Sequence, residues 1–146
     1  CADGTRGLFA GGLSLTDTID YVTIATTGNA QDFGNLSVAR ESVAACANRT
    51  RGLFAGGWGS PNYYDTIEYV TVATTGNTTD FGDLTVARSG AAGSSNGVRG
   101  VFGGGFGGNW GTTTIIDYVN MDTTGNATDF GDLTVGVYTL AAFSGT

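Results

Sequence analysis

RGLFAGG at 6–12 returns as RGLFAGG at 51–57 and as RGVFGGG at 99–105, and longer words travel with it. DTIDYVTIATTGNAQDFGNLSVAR at 17–40 becomes DTIEYVTVATTGNTTDFGDLTVAR at 65–88 and, more loosely, TIIDYVNMDTTGNATDFGDLTVG at 114–136. TTGN begins at 26, 74 and 123, which sets a period of 48 to 49 residues. Self-similarity in this range marks solenoids, propellers and arrays, whose units bury a core only by stacking on neighbours. The chain is three copies of one supersecondary unit, with approximate repeats 1–40, 41–88 and 89–136 and a remaining segment 137–146.

Each unit divides into four strand-like segments separated by Gly, Asn, Ser and Thr. In the second they are 41–48, 50–57, 65–74 and 80–87, rich in the β-branched and aromatic residues that suit a pleated surface. Along the third segment Ile67, Tyr69 and Thr71 alternate with Glu68, Val70 and Val72, so both faces carry apolar side chains and both must be covered. Four short strands repeated at this period read as propeller blades: an all-β fold of four-stranded antiparallel blades, three blades' worth in the chain. The small residues of VAACA, AAGSS and LAAFS suit innermost strands, where space is shortest, and the last makes 137–146 a closing inner strand. The Gly pairs are expected to allow close strand approach or positive φ.

These residues resemble the kelch family. Its strand ending in Gly-Gly matches Gly11-Gly12, Gly56-Gly57 and Gly104-Gly105, and its Tyr matches Tyr21, Tyr69 and Tyr118. Phe33, Phe81 and Phe130 stand at its usual Trp, and Arg40 and Arg88 at its boundary Arg, where the third unit has Gly136. The repeated wording is also similar to tandem-repeat virion and tail-fibre proteins of aquatic bacteriophages. That likeness implies a virion or extracellular setting and a structural, host-contacting role.

Propellers run from about four to eight blades, so three cannot close a ring. Completion is expected either from a second copy, giving a six-bladed homodimer in which each chain lends its last strand, or from sequence beyond these 146 residues. Cys1 and Cys46 fall at the same point of successive repeats and are expected as buried, unpaired small residues.

Charge narrows the partners. A formal net charge of −7, with six Arg as the only cations, disfavours nucleic acid, and no apolar run approaches the ~18 residues of a membrane-inserted span. With no His and no Lys, nucleophilic and zinc chemistries lack their usual parts. No catalytic residue, metal site or cofactor is expected, and the chain reads as no enzyme. The paired carboxylates Asp80/Asp83 and Asp129/Asp132 recur once per unit, and Asp32, Asp80 and Asp129 are read as Asx residues bonding the turn before the last strand.

The units depart from one another mainly between the second and third strands, at LSLT (13–16), WGSPNYY (58–64) and FGGNWGTT (106–113). Variable loops on a repeated scaffold are where binding surfaces are built. Trp58, Asn62, Tyr63, Tyr64, Phe106, Asn109 and Trp110 combine flat rings with amides, a mixture suited to sugar rings or a protein ligand. The expectation is a non-enzymatic structural and binding module contacting a host-surface glycan or another virion protein. The alternatives are an intracellular kelch-type interaction scaffold and an excised or engineered self-assembling repeat fragment.

Overall fold

The computed structural model describes residues 1–107 and 111–143. Among them the chain is all-β: β1 (Arg6–Ala10), β2 (Thr18–Thr23), β3 (Gln31–Asn35), β4 (Ala44–Ala47), β5 (Arg51–Ala55), β6 (Trp58–Gly59), β7 (Asn62–Tyr63), β8 (Thr66–Thr71), β9 (Thr79–Asp83), β10 (Arg88–Ser89), β11 (Ala92–Ser95), β12 (Arg99–Gly103), β13 (Phe106–Gly107), β14 (Gly111–Thr112), β15 (Ile115–Asn120) and β16 (Thr128–Asp132). Each repeat forms one antiparallel sheet, in the orders β1-β2-β3, β4-β5-β8-β9 and β11-β12-β15-β16, and none is closed. The four segments read in the second repeat are therefore strands. The first sheet has three strands instead of four, because only Cys1 and Ala2 lie along the inner edge of β1, where Leu8 N–H bonds the Cys1 carbonyl at 2.7 Å. Residues 137–143 form no strand.

In each sheet the register slips by one residue after Ile19, Ile67 or Ile116, leaving Phe33, Phe81 or Phe130 as the extra residue of a bulge. The bulged Phe meets the edge of the Tyr on the neighbouring strand, Tyr69 with Phe81 at 6.0 Å and 81°. Tyr69 is covered from its other side by the Arg51 guanidinium at 4.7 Å. The same Arg–Tyr–Phe stack recurs as Arg6–Tyr21–Phe33 and Arg99–Tyr118–Phe130.

Successive sheets are joined by a junction that occurs twice. Its apolar part packs Phe54, Val70 and Val72 of the second repeat on Leu8, Ile19, Phe33 and Leu36 of the first. The next junction packs Phe102, Val119 and Met121 on Leu53, Ile67, Phe81 and Leu84. The alternation along β8 is borne out: Ile67 is buried on one face, and Glu68, Val70 and Val72 on the other.

Polar parts complete the junction. TTGN, which joins the last two long strands of each sheet, also reaches across it: Gly76 N–H donates to the Phe33 carbonyl at 2.7 Å and Asn77 Oδ1 accepts from Asn35 N–H at 3.0 Å. Gly125 and Asn126 make the same bonds to Phe81 and Asp83, at 2.7 and 3.1 Å. Arg6 donates to the Val72 carbonyl at 2.9 Å and Arg51 to the Met121 carbonyl at 3.0 Å. Finally, Arg40 pairs with Glu68 at 2.6 Å and Arg88 with Asp117 at 2.9 Å, all four side chains essentially without solvent exposure.

The third repeat's position equivalent to Arg40 and Arg88 is Val137 and not Gly136. The Val137 carbonyl accepts from Gly105 N–H at 2.8 Å, as the Arg40 and Arg88 carbonyls accept from Gly12 at 3.3 Å and Gly57 at 2.9 Å. The Asx turns also sit elsewhere than expected. Asp3, Asn48 and Asn96 bond backbone N–H groups just before β1, β5 and β12, whereas Asp32, Asp80 and Asp129 are exposed on the bulged strands. A short polar side chain in that tight first turn serves two N–H groups at once, which the bulge does not require.

Candidate functional site

The Gly pairs decide where the variable loops leave the scaffold. Gly56 lies at φ +65° and Gly57 at φ +112°, and a Cβ on Gly56 would stand 2.4 Å from the Arg88 carbonyl oxygen. Only glycine permits both the backbone turn and that approach. The chain then enters β6, whose Trp58 exchanges two backbone bonds with Glu41, each 2.9 Å, and folds back through a cis Ser60–Pro61 peptide to β7. Trp58 and Tyr63 stand opposite each other in this hairpin. The third repeat repeats the device: Gly104 and Gly105 carry positive φ, and Phe106 opens β13, which pairs with both β10 and β14.

Two repeats thereby deliver their aromatics to one place. Tyr63 and Phe106 have ring centroids 6.1 Å apart, and Phe106 lies 5.6 Å from Tyr138. Trp58, Tyr63, Phe106 and Tyr138, with Glu41 and Ser42, line an open recess of about 290 Å³. Trp58, Tyr63 and Phe106 are half-buried and Tyr138 exposed; Ser42, Ser89 and Thr139 complete the lining with Glu41.

The candidate residues thus divide. Trp58, Tyr63 and Phe106 come together. Tyr64 turns away, its ring 5.7 Å from the Arg40 guanidinium and packed over Gly59, where it supports the buried ion pair. Asn62 is exposed at the hairpin tip and does not line the recess. Asn109 and Trp110 lie outside the described residues. Tyr138 escaped the sequence reading because it falls beyond the third repeat's last recurring word; its place opposite Glu41 and Ser89 in the repeat frame was the available signal.

Asp80 and Asp83 are exposed on β9, and the Asp83 carboxyl is raised by desolvation and by the neighbouring Asp65 and Asp80. Among the described residues no three His, Cys, Asp or Glu side chains converge as a metal-binding group. Both cysteines are free, and burial pushes the Cys46 thiol up to about 12. Among the described residues no helix is long and apolar enough to cross a membrane.

No protein-family model matches the chain, and no curated protein matches it. Among solved structures it is similar to one described as a novel fungal alcohol oxidase with catalytic diversity among the AA5 family, in complex with copper. The TM-score is 0.67 at 13% identity, over 91% of this chain and 30% of that one. At that identity the likeness is one of fold, and the chain spans under a third of the oxidase chain.

Proposed function

We propose that this chain is a non-enzymatic structural and binding module in which three kelch-like propeller blades present an aromatic recess to a glycan, in a virion or tail-fibre setting. The observation that carries the reading is the convergence of Trp58, Tyr63, Phe106 and Tyr138 from different repeats on one open recess edged by hydroxyls and a carboxylate. Flat rings cover the C–H faces of a sugar at small entropic cost, while Glu41, Ser42 and Ser89 are placed to bond its hydroxyls.

The blade reading is supported by three sheets of one design stacked through one repeated junction, each packed face to face on the next. Copper-dependent alcohol oxidation, the named property of the similar structure, is not carried over. This sequence has no His, the usual ligand for copper, and the likeness is confined to fold.

Binding to an array of neutral and acidic oligosaccharides tests the reading. A hit whose affinity falls by about tenfold or more in both Trp58→Ala and Tyr63→Ala, ~1.4 kcal/mol or more each, is expected. No glycan bound at millimolar concentration, or binding indifferent to both substitutions, would overturn it.

A further inference from the structure

The junction that joins the repeats has two halves, and among the described residues the two end sheets each leave much of one half exposed, that of the third sheet bordered by the segment 137–143. On the first sheet Phe9 is 61% exposed and Ile24 55%, whereas their counterparts Phe54, Phe102, Val72 and Met121 are at most 1% exposed. On the third sheet Phe130 is 55% exposed, whereas Phe33 and Phe81 are at 2%. The same sheet carries an apolar cleft of about 420 Å³ lined by Val101, Ile116, Leu133, Val135, Val137 and Leu140. Val101, Ile116 and Leu133 occupy the places at which Leu53, Ile67 and Leu84 receive Phe102, Val119 and Met121.

We infer that this cleft receives Phe9, Val22 and Ile24 of a second copy of the chain, head to tail. The polar groups agree residue by residue. Gly28 and Asn29 of the first TTGN stand where Gly76 and Asn77 clasp Phe33 and Asn35. The receiving groups are the Phe130 carbonyl and the Asp132 N–H, and a Cβ on Gly131 between them would meet nothing, whereas one on Gly82 would meet the Gly125 carbonyl of its clasp. Arg99, stacked on Tyr118 as Arg51 is on Tyr69, is aligned with the Ile24 carbonyl of the incoming copy, as Arg51 meets that of Met121. A surface fitting a segment already present elsewhere in the same chain selects that chain as its occupant. Contact of this kind is heterologous and either closes into a ring or extends.

One element is missing. Asp20 is the counterpart of Glu68 and Asp117, and the residue that would bring its arginine is Val137. The copy-to-copy junction therefore buries a carboxylate without a cation, which makes it weaker than the two internal ones. This inference does not depend on what the aromatic recess binds.

Sedimentation equilibrium of the 146-residue chain across protein concentration tests it. Expected is reversible association whose midpoint rises by about tenfold or more in Phe9→Asp and in Ile24→Asp, residues exposed in the single chain, whose unfolding should be unchanged. Val137→Arg is expected to lower the midpoint by roughly tenfold, and Asp20→Asn in that background to remove the gain. A single-chain mass up to roughly 1 mM for both wild type and Val137→Arg, or association indifferent to Phe9→Asp and Ile24→Asp, would overturn it.

Discussion

At the scale of single residues the molecule is held by charges placed where water cannot reach. Burial lowers the pKa of Arg40 and Arg88, and the facing carboxylates Glu68 and Asp117 oppose that shift. Each guanidinium also leaves Nε and Nη1 without a hydrogen-bond acceptor. Half-satisfied buried pairs are costly to break and cheap to replace whole. Arg88→Met should therefore destabilise the chain by about 3–5 kcal/mol, and adding Asp117→Leu should recover most of that loss in chemical denaturation; a double variant no more stable than the single one would refute this account. Cys46 permits a test with a definite sign. Its thiol pKa is raised from 9.0 to about 12, so the folded chain holds a proton that the unfolded chain releases first. The associated stability is fully present below pH 9.0 and is lost progressively as pH rises toward about 12. Cys46→Ala should flatten that alkaline decline, and at pH 8 a thiol reagent should modify the half-buried Cys1 before Cys46, which should react only on unfolding.

At the scale of elements the strands were legible and the contacts between sheets were not. Alternation along 67–72 implied that both faces of the third strand are covered, and the Gly pairs implied close approach; both follow from side-chain period and glycine's freedom, which are local. Gly and Asn make TTGN a turn-forming word locally, yet the partners of its Asn lie 42 and 43 residues away, beyond what any window can see. The buried acid at Glu68 and Asp117 was likewise visible as a repeated charge in an apolar strand, without its partner. The same distance separates the hairpin of Trp58 from Phe106, so the aromatic richness of the loops was legible and their convergence was not. Two glycines isolate the clasp. Gly82 and Gly131 have similar backbones, φ +145° and +139°, but a Cβ on Gly82 would meet the Gly125 carbonyl oxygen at 2.4 Å, while one on Gly131 meets nothing. In dilute solution Gly82→Ala should lower stability by about 1–3 kcal/mol more than Gly131→Ala, the excess being the cost of forcing the clasp apart. Equal losses in thermal denaturation would mean that the clasp contributes nothing.

At the scale of the whole molecule, stability in a stack of repeats is the sum of what each unit contributes and what each junction adds. The second sheet has a junction on both faces, and Leu53, Phe54, Ala55, Ile67, Glu68 and Val70 are all buried in it. The outer sheets have one junction each and leave Phe9 and Phe130 more than half exposed. Opening the second sheet breaks two junctions, whereas fraying an outer sheet breaks one. Amide hydrogen exchange in dilute solution should therefore protect β5 and β8 most, with the β2–β3 and β15–β16 pairs opening at lower free energy. Arg40→Met should separate the outer sheets from each other: protection of β2 and β3 should fall while that of β12 and β15 stays nearly unchanged, because the second junction keeps Arg88 with Asp117. Loss of protection spread evenly over all three sheets would instead make the chain one cooperative unit, in which the repeats are a feature of the sequence and not of the energetics.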